Sequence, residues 1–139
     1  MNIRNAVLAV VAGTLALSCS DGSTAPPLPP PPPAPTAAVI SLLTPNSDDG
    51  AIVLTLRGPE LSDIQATSSA HLLYARTASG QEARVIVVGD LSAGPIVKVK
   101  LGAGHPLSEY STAVEQVALR NDSLRATTTG YQLSIAAAP

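Results

Sequence analysis

The sequence predicts an all-β fold: a single small antiparallel β-sandwich over residues 37–139, behind an N-terminal stretch of different character. Three observations predict it. Apolar residues recur with period two, most plainly in Pro95-Ile96-Val97-Lys98-Val99-Lys100-Leu101, where Val97, Val99 and Leu101 share one face and Lys98 and Lys100 the other. Clusters of Pro, Gly, Asn, Asp and Ser separate such runs at intervals that suit short strands. The apolar content comes from Val, Ile, Leu and Ala, with no Phe or Trp and only Tyr74, Tyr110 and Tyr131 as aromatics. The core is therefore aliphatic, and about a hundred residues suffice for one core but not two.

Residues 1–18 have the order of a bacterial secretory signal. A single positive charge, Arg4, precedes an apolar or small stretch from Ala6 to Leu17, and small residues follow at the cut. As a helix that stretch rises only about 18 Å against a hydrocarbon core of roughly 30 Å, so it directs export and is then removed. Cys19, the only cysteine, stands directly behind it in Leu15-Ala16-Leu17-Ser18-Cys19-Ser20-Asp21. That ending resembles the lipobox of bacterial lipoprotein precursors, with Ala16 at the third position before the cysteine, where leucine is commonest in the family. The resemblance implies a diacylglyceryl group on the Cys19 thiol, cleavage between Ser18 and Cys19, and acylation of the new amino terminus. Two or three acyl chains, at about 0.8 kcal/mol per buried CH₂, suffice for stable anchoring. In that family an aspartate directly after the cysteine commonly retains the protein in the inner membrane. Here Ser20 holds that position and Asp21 is one further on, which implies the outer membrane.

Residues 19–36 then form a linker that cannot fold. Pro26, Pro27, Pro29 to Pro33 and Pro35 fix φ and remove amide donors, which rules out a helix or a central strand. A polyproline II rod over 26–35 spans roughly 30 Å at about 3.1 Å per residue. A lipid at one end and a stiff spacer behind it make a tether. A PxxP ligand is chemically possible here, but it requires an SH3-like partner outside the cytoplasm.

The strands of the domain follow in order. Val39 to Leu43 opens it, and Pro45-Asn46-Ser47-Asp48-Asp49-Gly50 reads as a hairpin turn leading to Ala51 to Arg57. This second run and Ala83 to Gly89 are apolar on both faces and rich in β-branched residues, as central strands are. Between them, after the turn Arg57-Gly58-Pro59, lies a candidate strand at His71 to Thr77, closed by Ser79-Gly80-Gln81. Ser92-Ala93-Gly94-Pro95 introduces the alternating strand that ends at Leu101. Thr112 to Arg120 admits two readings: Thr112 and Glu115 fit a capping box with Val114, Val117 and Ala118 on one helical face, whereas Tyr110, Thr112 and Val114 alternate as in a strand. The strand is favoured because its neighbours are strands. Tyr131, Leu133 and Ile135 align on a last strand behind the turns Asn121-Asp122-Ser123 and Thr129-Gly130. Gly89-Asp90-Leu91 ahead of Ile96 to Leu101 loosely resembles small immunoglobulin-like or cohesin-like sandwiches, though the Cys and Trp marks of antibody domains are absent. That likeness concerns architecture and carries no function.

Composition and motifs exclude more than they assign. Without Arg4 the processed chain carries seven basic and ten acidic side chains, a net charge of −3, which offers no surface for a polyanion. Three tyrosines and no tryptophan leave little to stack sugars or bases upon, so nucleic acid is not an expected partner. His71 and His105 each stand alone, without a second ligand at metal spacing, and no Gly-x-Ser-x-Gly elbow presents a nucleophile. A cation loop at Asn46 to Gly50 fails because its alternating frame is Asp49, Ser47 and Pro45, and proline supplies no side-chain ligand. Gly102-Ala103-Gly104 lacks the rest of a dinucleotide fingerprint. Asn121-Asp122-Ser123 is a formal glycosylation acceptor of little weight in a bacterium. No disulfide is open to the domain, since Cys19 lies before it. The expectation is a membrane-anchored envelope lipoprotein, not an enzyme and without a cofactor or metal. Its sandwich is expected to bind another envelope or extracellular protein, or to serve as a structural subunit. The alternative is a lipid-tethered hydrolase or small-ligand carrier, which needs a concave polar site.

Overall fold

The computed structural model describes residues 28–78 and 80–139. The signal segment 1–18, the cleavage site at Ser18 and Cys19, and the linker up to residue 27 lie outside the described residues. Residues 28–35 take neither helix nor strand.

Eight strands follow: β1 (Ala37–Leu43), β2 (Asp49–Arg57), β3 (Ser62–Ala66), β4 (Leu72–Ala78), β5 (Glu82–Val88), β6 (Gly94–Lys100), β7 (Ser111–Leu119) and β8 (Gln132–Ala137). They form two four-stranded sheets, β3-β6-β1-β8 and β4-β5-β2-β7. Every pairing within them is antiparallel, so the fold is the all-β sandwich that the alternation predicts. The inner faces meet in an aliphatic core, with Ile40, Ile52, Leu54, Leu56, Val85 and Val97 fully buried. Burying each such side chain stabilises the fold by about 1.5–3 kcal/mol relative to leaving it in water. The apolar runs expected to be central, β2 and β5, are central in the second sheet.

Departures from strict alternation have local causes. In β6, Ile96 and Val97 are adjacent yet both buried, while Lys98 and Lys100 remain wet. The register against β1 steps from Ile40↔Val97 to Ser41↔Pro95, so Ile96 is the extra residue of a bulge and turns inward beside Val97. The segment over Thr112–Arg120 is strand β7, because the open edge of β2 supplies backbone partners from Leu56↔Thr112 to Asp49↔Leu119. A helix there would leave that edge bare. Short β3 has no counterpart in the sequence pattern: Ser-Asp-Ile-Gln-Ala offers one large apolar residue, and the strand exists because β6 has a free side to pair with. The 3₁₀ turn at Leu107–Glu109 is likewise a product of the loop that carries it.

The hairpin expected at Pro45–Gly50 is corrected. β1 and β2 belong to different sheets, so this segment crosses from one layer to the other and pairs neither strand with the other. Its last two residues are already strand, for β2 starts at Asp49. The cause lies at Gly50, skipped in the register between Asp49↔Leu119 and Ala51↔Ala118. A Cβ on Gly50 would lie 2.8 Å from Arg120 Cα and 2.9 Å from the Leu119 carbonyl oxygen, closer than side chains approach backbone. Glycine lets the two chains touch and inserts the extra residue. Ile52, Leu54 and Leu56 face the core; the bulge shifts the phase, so that Asp49 also turns inward, fully buried.

Candidate functional site

Two regions hold the chemistry of the domain. The first is the corner where β1 crosses to β2. The Asp49 carboxylate is inaccessible to solvent, yet each of its oxygens has a donor. Thr44 Oγ1 donates to Oδ2 at 2.6 Å, and Oδ1 accepts from Tyr131 Oη at 2.7 Å and Arg125 Nε at 2.8 Å. Asn46 Nδ2 donates in turn to Tyr131 Oη at 2.8 Å, and the Arg125 guanidinium also holds Asp48. Burial alone raises the pKa of Asp49. The hydrogen bonds from Thr44, Tyr131 and Arg125, with the Arg125 charge, outweigh it and hold the group below its ordinary 3.8. Tyr131 moves the other way: burial and the adjacent Asp49 carboxylate raise it.

This cluster joins the β1–β2 crossover to residues 76 and 82 positions further along the chain, on the segment before β8. It could do little for a substrate, because the carboxylate is sealed from solvent and three internal donors already hold it. Its work is to clamp the two layers at one corner. No local sequence signal gives it away. Asp48-Asp49-Gly50 reads as a turn, and only the bulge at Gly50 together with two distant partners makes Asp49 a core residue.

The histidines do not converge. His71 sits before β4 with Nε2 3.3 Å from the Asp90 carbonyl oxygen, and its Nδ1 is buried without a partner among the described residues. His105 lies in the loop after β6, with Nδ1 2.8 Å from Glu109 Oε2. Neither is hydrogen-bonded to a hydroxyl among the described residues, and these hold no group of three metal-ligating side chains. Tyr110 fills a separate place: its ring lies against Gly58, where a Cβ would fall 2.1 Å from a ring carbon, so a glycine is required there.

The second region is the outer face of β4 and β5. Inward side chains of β4 follow the register Leu73↔Val87 and Ala75↔Val85, both partners being core residues. Leu72, Tyr74, Arg76 and Ala78 therefore point outward beside Val88, Ile86, Arg84 and Glu82. Leu72 is 61% exposed, Tyr74 62% and Ile86 37%, half of the six exposed large apolar side chains among the described residues. Next to them the sheet is charged: Arg84 pairs with Glu115 at 2.8 Å, and Arg57 with Glu82 at 2.7 Å. From sequence, His71 to Thr77 reads as a strand, and what that reading misses is its place at the sheet edge. Leucines at both 72 and 73 look like burial on two faces. Only the topology puts one of those faces in water.

Cys19 and Ser18, the residues singled out for processing, fall outside the described residues, so the geometry bears on neither. Among the described residues no helix is long and apolar enough to cross a membrane. Comparison with known protein families, curated proteins and solved structures gives no match for this chain.

Proposed function

We propose that this protein is a lipid-anchored bacterial envelope lipoprotein whose β-sandwich is a protein-contact module. The anchor reading is supported by the order Arg4, Ala6 to Leu17, Ser18-Cys19, with the proline tract 26–35 as a spacer of roughly 30 Å between bilayer and domain. Ser20 after the cysteine favours the outer membrane. The observation that carries the contact reading is the outer face of β4 and β5, where Leu72, Tyr74 and Ile86 stand together in water at an open sheet edge. Apolar clusters of this kind, rimmed by charge, mark association surfaces.

Two experiments test it. Growth with a labelled fatty acid is expected to mark the wild type, while Cys19→Ala loses the label and leaves the membrane fraction; equal labelling of both removes the anchor. A photo-reactive residue placed at Leu72 is expected to give a discrete adduct on illumination of intact cells. If that position yields none while the same residue at Asp63 does, the contact surface lies elsewhere.

A further inference from the structure

We propose that the occupant of the β4 edge is β4 of a second copy, joined antiparallel about a twofold axis at Ala75 into one continuous eight-stranded sheet. The inference deepens the contact reading, on which it rests, and needs no lipid. Four strands lie at sheet edges, and three are blocked or plain. β3 is five residues long, breaks register between Ser62 and Gln65, and carries Asp63 at φ 46°. β7 breaks register twice, and its outer side is already occupied where Arg125 N donates to the Val117 carbonyl and Leu119 N to the Ser123 carbonyl. β8 presents no exposed large apolar side chain among the described residues. β4 runs seven residues in unbroken register with β5, without proline, lysine or bulge, and with Leu72 and Tyr74 in water. Of the devices that natural edges use against pairing it carries one, the exposed charge of Arg76.

The strand is also complementary to itself. Centred on Ala75, the antiparallel register overlaps all seven residues, Leu72 to Ala78, and sets Tyr74 of each copy directly opposite Arg76 of the other on the outer face. On β4 and β5, Arg76 is the charged group that the single copy leaves without an opposite charge among the described residues. Its cross-strand neighbour is Arg84, a like charge, and it makes no ion pair among the described residues, whereas Arg84 is held by Glu115. A guanidinium lying over the partner's phenol ring gains a cation–π contact in place of that repulsion. The same operation pairs Leu72 with Ala78 at both ends. An isologous contact of this kind closes as a dimer and leaves no further edge of β4 to recruit a third copy.

The test uses the full chain purified in mild detergent, from whichever cell fraction holds it. Sedimentation is expected to give a dimer for the wild type. Tyr74→Lys, which sets two cations opposite each other, is expected to weaken self-association at least tenfold while the far-UV circular dichroism and Tm stay unchanged. As a second variant, Ala75→Cys is expected to form an intermolecular disulfide on mild oxidation, because across an antiparallel pair the two Cα atoms lie about 4.5–5.5 Å apart, within disulfide reach. The wild type, with Cys19 alone, and Ser134→Cys on the β8 edge serve as controls expected to stay uncross-linked. A monomeric wild type, or dimers that survive Tyr74→Lys, overturns the proposal. So does cross-linking of Ser134→Cys equal to that of Ala75→Cys. A photo-adduct at Leu72 whose added mass is not that of this chain also overturns it, yet leaves the contact reading standing.

Discussion

The corner at Asp49 and the edge at β4 lie in one small domain and treat polar and apolar groups in opposite ways. At the corner a charged group is taken out of water and given a donor for each oxygen, in a sandwich that has no cysteine with which to staple its layers. At the edge, leucine and tyrosine side chains and a row of backbone groups stay in water without a partner among the described residues. The difference separates two demands. Interactions at the corner are internal and complete, so altering them should cost stability. Those at the edge are external and open, so altering them should cost association and little else.

That contrast can be broken at several points. The largest effect is expected for Asp49→Ala, which takes the buried acceptor from Thr44, Tyr131 and Arg125, leaves the guanidinium with Asp48 alone, and should lower unfolding free energy by about 3 kcal/mol in urea titrations. Gly50→Val should follow at about 1–3 kcal/mol, since the strands must separate to admit a side chain against Arg120 and Leu119; an unchanged urea midpoint would show the close approach to be dispensable. Acid should weaken the corner selectively. Asp49 titrates lower in the folded chain than in the unfolded one, so its contribution is whole above the unfolded value near 3.8 and disappears as pH falls through the folded value. Wild-type stability should therefore decline as pH falls below about 4, and Asp49→Asn should flatten that part of the profile. Tyr131→Phe, removing one donor to Asp49 and one acceptor for Asn46, should cost about 1 kcal/mol. Last, Leu72→Ser should leave the unfolding free energy within about 0.5 kcal/mol of wild type; a larger loss would mean that β4 is part of the stability of the fold and not a surface held for a partner.

Most of the fold was legible because its causes are local. Alternation at Val97, Val99 and Leu101, and β-branched runs at Ile52-Val53 and Val85 to Val88, put apolar atoms on the faces that need burial, and strands follow from that. What escaped depends on distant parts of the chain. Nothing in Ser62 to Ala66 announces β3, whose existence is owed to the free side of β6. The Pro45–Gly50 segment has the composition of a hairpin turn, and whether such a turn joins neighbours or crosses layers is decided by which strands flank β1, namely β6 and β8. The corner cluster was illegible for the same reason, its members being 76 and 82 residues apart. Of the candidate site, the residues were visible and their solvent exposure was not: Tyr74 and Arg76 become a surface only once β4 is known to be last in its sheet.

The placement of β1 has a kinetic consequence. The first of the described strands to be synthesised sits in the middle of its sheet, and both of its neighbours, Gly94–Lys100 and Gln132–Ala137, are made long after it. Loop closure over that distance must precede the reward of pairing, so this layer assembles late and slowly. Until Ala137 has emerged, Ile40 and Leu42 lack the strand that covers their far side, and this half of the core stays open to water.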